Sequence, residues 1–152
     1  MTEARERADV TVLTQIAAIA QLADNRLGRV LPAGLSAAQF AVLAHLARTG
    51  GDEHPQSLAR AALVTKGAMT NTLQRLTAQG LANVTADPDD ARRKQVAITA
   101  AGIRAFQEGL IASRPQLAAM RAAFPAEEFD AALPFLRRLR EWLSSDGRGA
   151  GS

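Results

Sequence analysis

The chain has no cysteine among its 152 residues. That absence removes a disulfide framework, a zinc ribbon, an iron–sulfur cluster and every thiol-based redox switch. Long apolar runs are missing as well, and none reaches the roughly 18 uninterrupted residues a membrane helix needs. Met1 to Asp9 mix both signs of charge without a signal-peptide core or cleavage site, so a cytoplasmic protein is expected. No nucleophile elbow, phosphate loop or dinucleotide fingerprint occurs, which argues against an enzyme and against a bound cofactor. Histidine is limited to His45 and His54, with no His-x₃-His spacing, so no metal site is expected. His45 is placed near the junction of two lobes, and His54 is expected to be solvated. Glu127 and Glu128 are adjacent carboxylates, but they open a helix and favour its positive end; they are not an acid–base pair. Lysine is nearly absent: 16 of the 18 cations are arginine.

What remains is ordinary globular material, 47% hydrophobic and 22% charged, large enough to bury its own core. The net charge is only +3, and its distribution carries more than its total. Residues 1–54 are net −1, residues 55–104 net +4 and residues 105–152 neutral. The whole excess sits in the middle third, as expected when one segment meets a polyanion.

Helical periodicity dominates. Val10, Leu13, Ile16, Ala17, Ala20, Leu27 and Val30 predict a long first helix ending near Pro32-Ala33-Gly34. Ser36 and Gln39 form a capping box for a second helix, whose apolar side is Phe40, Val42, Leu43, Leu46 and Ala47. Thr49-Gly50-Gly51-Asp52 stops it. A short third helix runs from Gln56 to Ala62, and Leu63-Val64-Thr65 turns the chain. Thr65 caps a fourth helix over Lys66–Gln79, closed by Gly80. Leu81–Ala86 and Lys94–Thr99 then read as a β-hairpin with a long charged tip. A fifth helix from Ala100 to about Phe124 turns Ile103, Phe106, Leu110, Leu117 and Met120 inward, and Pro115 should kink or divide it. A last helix runs from about Pro125, in the first helical position, to Ser144, with Pro134 inside it. Its apolar side is Phe129, Ala132, Leu133, Leu136, Leu139, Trp142 and Leu143.

Helix, helix, turn, helix and charged hairpin in that order predict a winged helix-turn-helix, in which the second helix of the pair enters a major groove and the wing an adjacent minor groove. The fold class is mainly α with a small β-hairpin wing, plus a helical dimerisation lobe. In the fourth helix, Met69, Leu73 and Leu76 share an inward face. Lys66, Thr70, Asn71 and Gln74 turn the other way, and Gly67 and Ala68 keep its start slim enough for close approach. Asn71 and Gln74 carry the amide that reads adenine; Thr65, Lys66 and Arg75 suit phosphates. A polar helix face with two amides is most often a solvated surface. The tip shifts the balance, because Arg92, Arg93 and Lys94 are consecutive cations. An aspartate beside them can fix a guanidinium through a bidentate pair and aim it at a narrow minor groove.

Leu35-Ser36-Ala37-Ala38-Gln39-Phe40-Ala41-Val42-Leu43, the segment Leu58 through Gly80, and Asp87-Pro88-Asp89-Asp90-Ala91-Arg92-Arg93 leading to Val96-Ala97-Ile98-Thr99-Ala100-Ala101-Gly102 resemble the multiple antibiotic resistance regulators, the MarR family. The resemblance spans about residues 10 to 144, and the wing signature is its most specific part. It implies a homodimeric transcriptional regulator on a pseudo-palindromic operator, with the first and last two helices interlocking. By position, Asp90 and Arg92 match the wing's paired aspartate and minor-groove arginine. Thr65, Lys66, Thr70 and Asn71 match recognition-helix contact positions. Two departures stand out: Ala91 precedes the wing arginine where the family often has another arginine, and Thr70-Asn71 replaces a hydroxyl–arginine pair. Many members respond to small lipophilic ligands or aromatic acids in a crevice between the lobes, which here would involve Arg26, Phe40, His45 and Phe106.

Dimerisation is also expected from the residues alone, since the terminal helices are more apolar than one small lobe can cover. The whole chain, 1–152, is read as one such domain. Residues 8–31 and 100–144 form its dimerisation helices, 35–99 the DNA-binding lobe and 145–152 a disordered tail. The expected function is sequence-specific duplex binding by a ligand-responsive repressor. The competing expectation is a winged-helix module used for protein contacts alone.

Overall fold

A computed structural model describes residues 2–50, 53–62 and 64–145. Gly51, Asp52, Leu63 and all of the expected tail after Ser145 lie outside the described residues. The elements are α1 Thr2–Val30, α2 Ala37–Thr49, α3 Pro55–Ala62, α4 Lys66–Ala78, β1 Ala82–Ala86, β2 Lys94–Ile98, α5 Ala100–Ala123 and α6 Ala126–Ser144. Two compact units divide the chain, residues 1–113 and 114–152.

In the first unit the core lies where α2, α3, α4 and the hairpin meet. Leu43, Leu46, Leu58, Leu76 and Val96 are completely enclosed, and Leu31, Leu35, Val42, Ala59, Met69, Leu73 and Ala82 complete the buried cluster. Burying each large side chain there contributes about 1.5–3 kcal/mol. The capping box at the start of α2 forms as expected: the Gln39 N–H donates to Ser36 Oγ at 3.1 Å, and the Ser36 N–H to Gln39 Oε1 at 2.9 Å. Gln39 is itself buried, and its amide donates to Gln79 Oε1 at 2.7 Å, while Gln79 donates to the Gly34 carbonyl. This chain of amides pins the entry of α2 to the exit of α4 and satisfies a polar group that burial would otherwise penalise.

The hairpin pairs Ala82 with Ile98 and Ala86 with Lys94 in antiparallel register. It is not a free ribbon. Glu53 adds a one-residue third strand, its N–H donating to the Val96 carbonyl at 3.1 Å and its carbonyl accepting from the Val96 N–H at 2.7 Å. At the far end of β2, Thr99 starts α5: its Oγ1 donates to the Gly80 carbonyl at 2.7 Å and accepts the Gly102 N–H at 3.0 Å.

Several expectations are corrected. Helix α1 begins at Thr2, well before Val10, the first apolar position of the expected helix, and Glu3 in its first turn favours the helix dipole. Pro115 does not divide α5, which stays helical past it to Ala123. Pro115 is exposed, so water can reach the carbonyl it deprives of a partner, and the boundary between the two units falls beside it. Pro125 caps α6 with extended backbone and is not its first helical residue. Ser145, expected in the disordered tail, closes α6 with its N–H on the Glu141 carbonyl.

The apolar faces of the terminal helices are not inward within the chain. Val10 is 64% exposed and Leu13 46%, and Ile103, Leu110, Leu117, Met120, Phe129, Leu133, Leu136, Trp142 and Leu143 are also exposed. No residue of α6 is buried. In α1 only Ile16, Leu27 and Val30 reach half-burial among the apolar positions singled out. Periodicity marks which face of each helix is apolar, but the inward placement expected for Ile103, Leu110, Leu117 and Met120 does not hold within this chain.

Candidate nucleic-acid interface

Helix α4 is oriented by its own sequence. Thr65 takes extended backbone as N-cap and its Oγ1 accepts the Ala68 N–H at 3.1 Å. Met69, Leu73 and Leu76 are buried, which forces Lys66, Thr70, Asn71, Gln74 and Arg75 outward, all exposed. Gly67 and Ala68 are exposed as well, so the first turn offers backbone without bulk. The Thr70 hydroxyl donates to the Lys66 carbonyl at 2.9 Å, which leaves its oxygen free to accept.

The wing tip is built from aspartates. Asp87 is nearly buried at 9% exposure; its N–H donates to the Arg93 carbonyl at 3.0 Å, and its Oδ1 accepts the Asp89 N–H at 2.9 Å. Asp90 Oδ1 accepts two donors from Arg92, the backbone N–H at 3.1 Å and Nε at 3.3 Å. The expected bidentate fork is therefore replaced by a tighter local loop. One carboxylate oxygen holds the base of the side chain, and the outer guanidinium nitrogens stay in water, with the Arg92 side chain 92% exposed. A surface pair of this kind adds little stability, but it narrows the directions the arginine can take.

His54 is not solvated as expected. It is partly buried, with Nδ1 2.9 Å from the Lys94 carbonyl and Nε2 3.5 Å from Asp87 Oδ2. Among the described residues no cluster of three metal-ligating side chains exists.

A cleft of about 470 Å³ brings Lys66 and Thr70 of α4 together with Arg92, Arg93 and Lys94 of the wing. A second hollow of about 650 Å³ joins Thr70 and Gln74 to Arg93 and Lys94. Thr65, Ala68, Asn71 and Arg75 line neither, though all four lie exposed on or beside α4. The first cleft also holds Gln56, Ser57 and Arg60 of α3, which the sequence reading missed. The available signal was that Arg60 is the sole charged residue of α3. Five cations, Arg60, Lys66, Arg92, Arg93 and Lys94, thus line one concave surface without a carboxylate among its lining residues. Such a surface concentrates positive potential and suits a phosphate backbone.

Phe40 and Phe106 pack with ring centroids 5.6 Å apart. With His45 they line a hollow of about 500 Å³ that also includes Arg48, Leu58 and Leu110; Arg26 is not part of that lining.

Residues 33–93 match the model of the MarR family. No curated protein sequence matches the chain. Among solved structures, the chain is similar to a probable transcriptional regulator from Pseudomonas aeruginosa, at 29% identity and a TM-score of 0.69 over 82% of this chain and 96% of that one. It is similar to a mutant MarR from E. coli complexed with operator DNA, at 25% identity and a TM-score of 0.76 over 86% and 94% of the two chains. An organohalide-sensing RdhR regulator in its 2,4-dichlorophenol-bound form shares the fold, at 22% identity and a TM-score of 0.80 over 93% and 85%.

Proposed function

We propose that the chain is a transcriptional regulator of the MarR family, whose model residues 33–93 match, and that it acts as a homodimeric, sequence-specific duplex-DNA-binding repressor whose affinity falls when a small ligand binds. The observation that carries this reading is the five-cation cleft shared by α3, the start of α4 and the wing. Helix α4 would lie in a major groove, with Asn71 and Gln74 toward base edges and Thr65, Lys66 and Arg75 on phosphates. Arg92 would enter the neighbouring minor groove, with Arg93 and Lys94 on the backbone beside it. Arg60 adds a further phosphate contact from α3.

Dimerisation is supported by the exposed apolar faces of α1, α5 and α6, which a two-fold copy would cover. A dimer would set two α4 helices about one DNA turn apart. The hollow lined by Phe40, His45 and Phe106 suits a lipophilic or aromatic-acid effector. The effector would act by favouring dimer states whose two α4 helices no longer match successive grooves.

A gel shift on the region upstream of the protein's own coding sequence tests the reading, with salt raised stepwise. Several phosphate contacts predict an affinity loss of about 10³-fold or more between roughly 50 and 200 mM salt. Equal, salt-insensitive affinity for a scrambled duplex would favour a protein-interaction module instead. Asn71→Ala is expected to relax preference at one base pair at a cost of about 1–3 kcal/mol, read by competition with single-base operator variants. A uniform loss over all variants would move Asn71 to the backbone.

A further inference from the structure

Lysine is scarce in the sequence, and folding gathers what there is in one place. Lys66 and Lys94 are the only lysines of the chain, and both line the five-cation cleft. They reach it from two elements: Lys66 is the first residue of α4, and Lys94 opens β2, paired with Ala86. Both are exposed. Among the described residues neither is in an ion pair, whereas Arg92 is held by Asp90. The other three cations of the lining, Arg60, Arg92 and Arg93, are guanidinium groups.

The two kinds of cation differ in chemistry. A guanidinium keeps its proton at any working pH, whereas a lysine amine can lose its proton and accept an acyl group. An acylated lysine has no charge to give a phosphate. The only side-chain amines of the chain therefore stand where lost charge bears directly on a bound polyanion. The cleft also selects the donor. A concave surface with five cations and no carboxylate in its lining concentrates small anions as it would duplex phosphates. Its volume of about 470 Å³ lies within the roughly 300–1,000 Å³ of small-ligand sites.

We propose that this cleft is an acylation site for small acyl phosphates: the three arginines hold the phosphate of the donor, and its acyl group passes to Lys66 or Lys94. The lysine nitrogen attacks the acyl carbon, a C–N bond forms, and the bond from that carbon to the phosphate oxygen breaks. Of the two protons the ammonium gives up, one leaves with inorganic phosphate and one goes to water. No oxidant or reductant is needed. The product is a neutral amide, so modification of both lysines takes two of the five charges out of the cleft. The consequence for DNA rests on the regulator reading above; the acylation site does not.

Timed peptide mapping by mass spectrometry tests the site, with the folded protein and Nα-acetyl-lysine amide sharing one solution of acetyl phosphate. Acetylation at Lys66 or Lys94 is expected to run about tenfold or more faster than on the free amide. Inorganic sulfate at constant ionic strength and Arg60→Gln should each diminish that advantage, and acetylimidazole, an uncharged donor, should not produce it. Rates equal to the free amide overturn the site. So does an advantage undiminished by sulfate or by Arg60→Gln, or one equally large with acetylimidazole. Affinity for a poly(dA-dT) duplex is then compared before and after treatment. The doubly acetylated protein is expected to bind about tenfold or more weakly, with a salt slope lower by about two. The same treatment of Lys66→Arg/Lys94→Arg should leave the affinity of that variant where it stood beforehand. Acetylation without loss of affinity, or an equal loss in the double variant, overturns the regulation. Absence of duplex binding by the untreated protein, with acetylation still fast and sulfate-sensitive, overturns the regulator reading and upholds the acylation site.

Discussion

Gly102→Ala is expected to destabilise the protein by about 3 kcal/mol and lower Tm by roughly 10 °C, read by circular dichroism melts at one protein concentration. Gly102 sits in the first turn of α5 against the chain segment leaving α4. A Cβ there would overlap the Leu81 carbonyl oxygen and come within 2.7 Å of Ile98 Cγ1. The obstacle is backbone, and it is held: the Leu81 carbonyl accepts the Thr99 N–H at 3.1 Å, while Thr99 Oγ1 bridges Gly80 and Gly102. Relief would require moving α5 away from the root of the hairpin, with the loss of those three bonds. Gly67→Ala is the matched control. A Cβ at Gly67 meets nothing within 4 Å, so the gain in helix propensity should raise stability by about 0.5–1 kcal/mol. Equal Tm values for Gly102→Ala and the wild type would show that α5 is not seated on the Leu81 carbonyl.

The second large effect is on binding. Arg92→Ala is expected to weaken duplex affinity by about tenfold or more and to lower the salt slope by about one. The side chain is almost wholly exposed and its ion pair with Asp90 lies at the surface, so its removal should leave Tm unchanged within experimental scatter. That separation makes the variant informative, because a loss of affinity cannot be charged to unfolding. Arg92→Lys keeps the cation but not the planar fork, and should recover the salt slope more than the preference for narrow A·T-rich grooves. Unchanged affinity in Arg92→Ala would remove the wing from the interface.

Much of the fold was legible from local signals. The Ser36–Gln39 box, Thr65 before α4, and the three-and-four spacing of Met69, Leu73 and Leu76 each carry their own cause within a few residues. Their positions in the structure agree with that reading. What escaped depends on atoms far apart in the chain. The Glu53–Val96 bridge, the His54 contacts and the Gln39–Gln79–Gly34 amides join residues about forty positions apart, and no period or cap announces them. Arg60 escaped for the same reason, since only folding brings α3 beside the wing. The outward faces of α1 and α6 show a different limit. Periodicity says which face is apolar, and nothing in it says whose surface will cover that face.

That last feature has a consequence for dose. Helix α6 buries no residue of its own chain, so under the proposed dimerisation its folding and its partner's arrival are one equilibrium. For such a protein the midpoint of unfolding moves with protomer concentration. Halving the amount of chain in a cell would then remove more than half of the species able to span two half-sites once the total falls near the dissociation constant. Occupancy of an operator would respond to abundance more steeply than in proportion, before any effector is present.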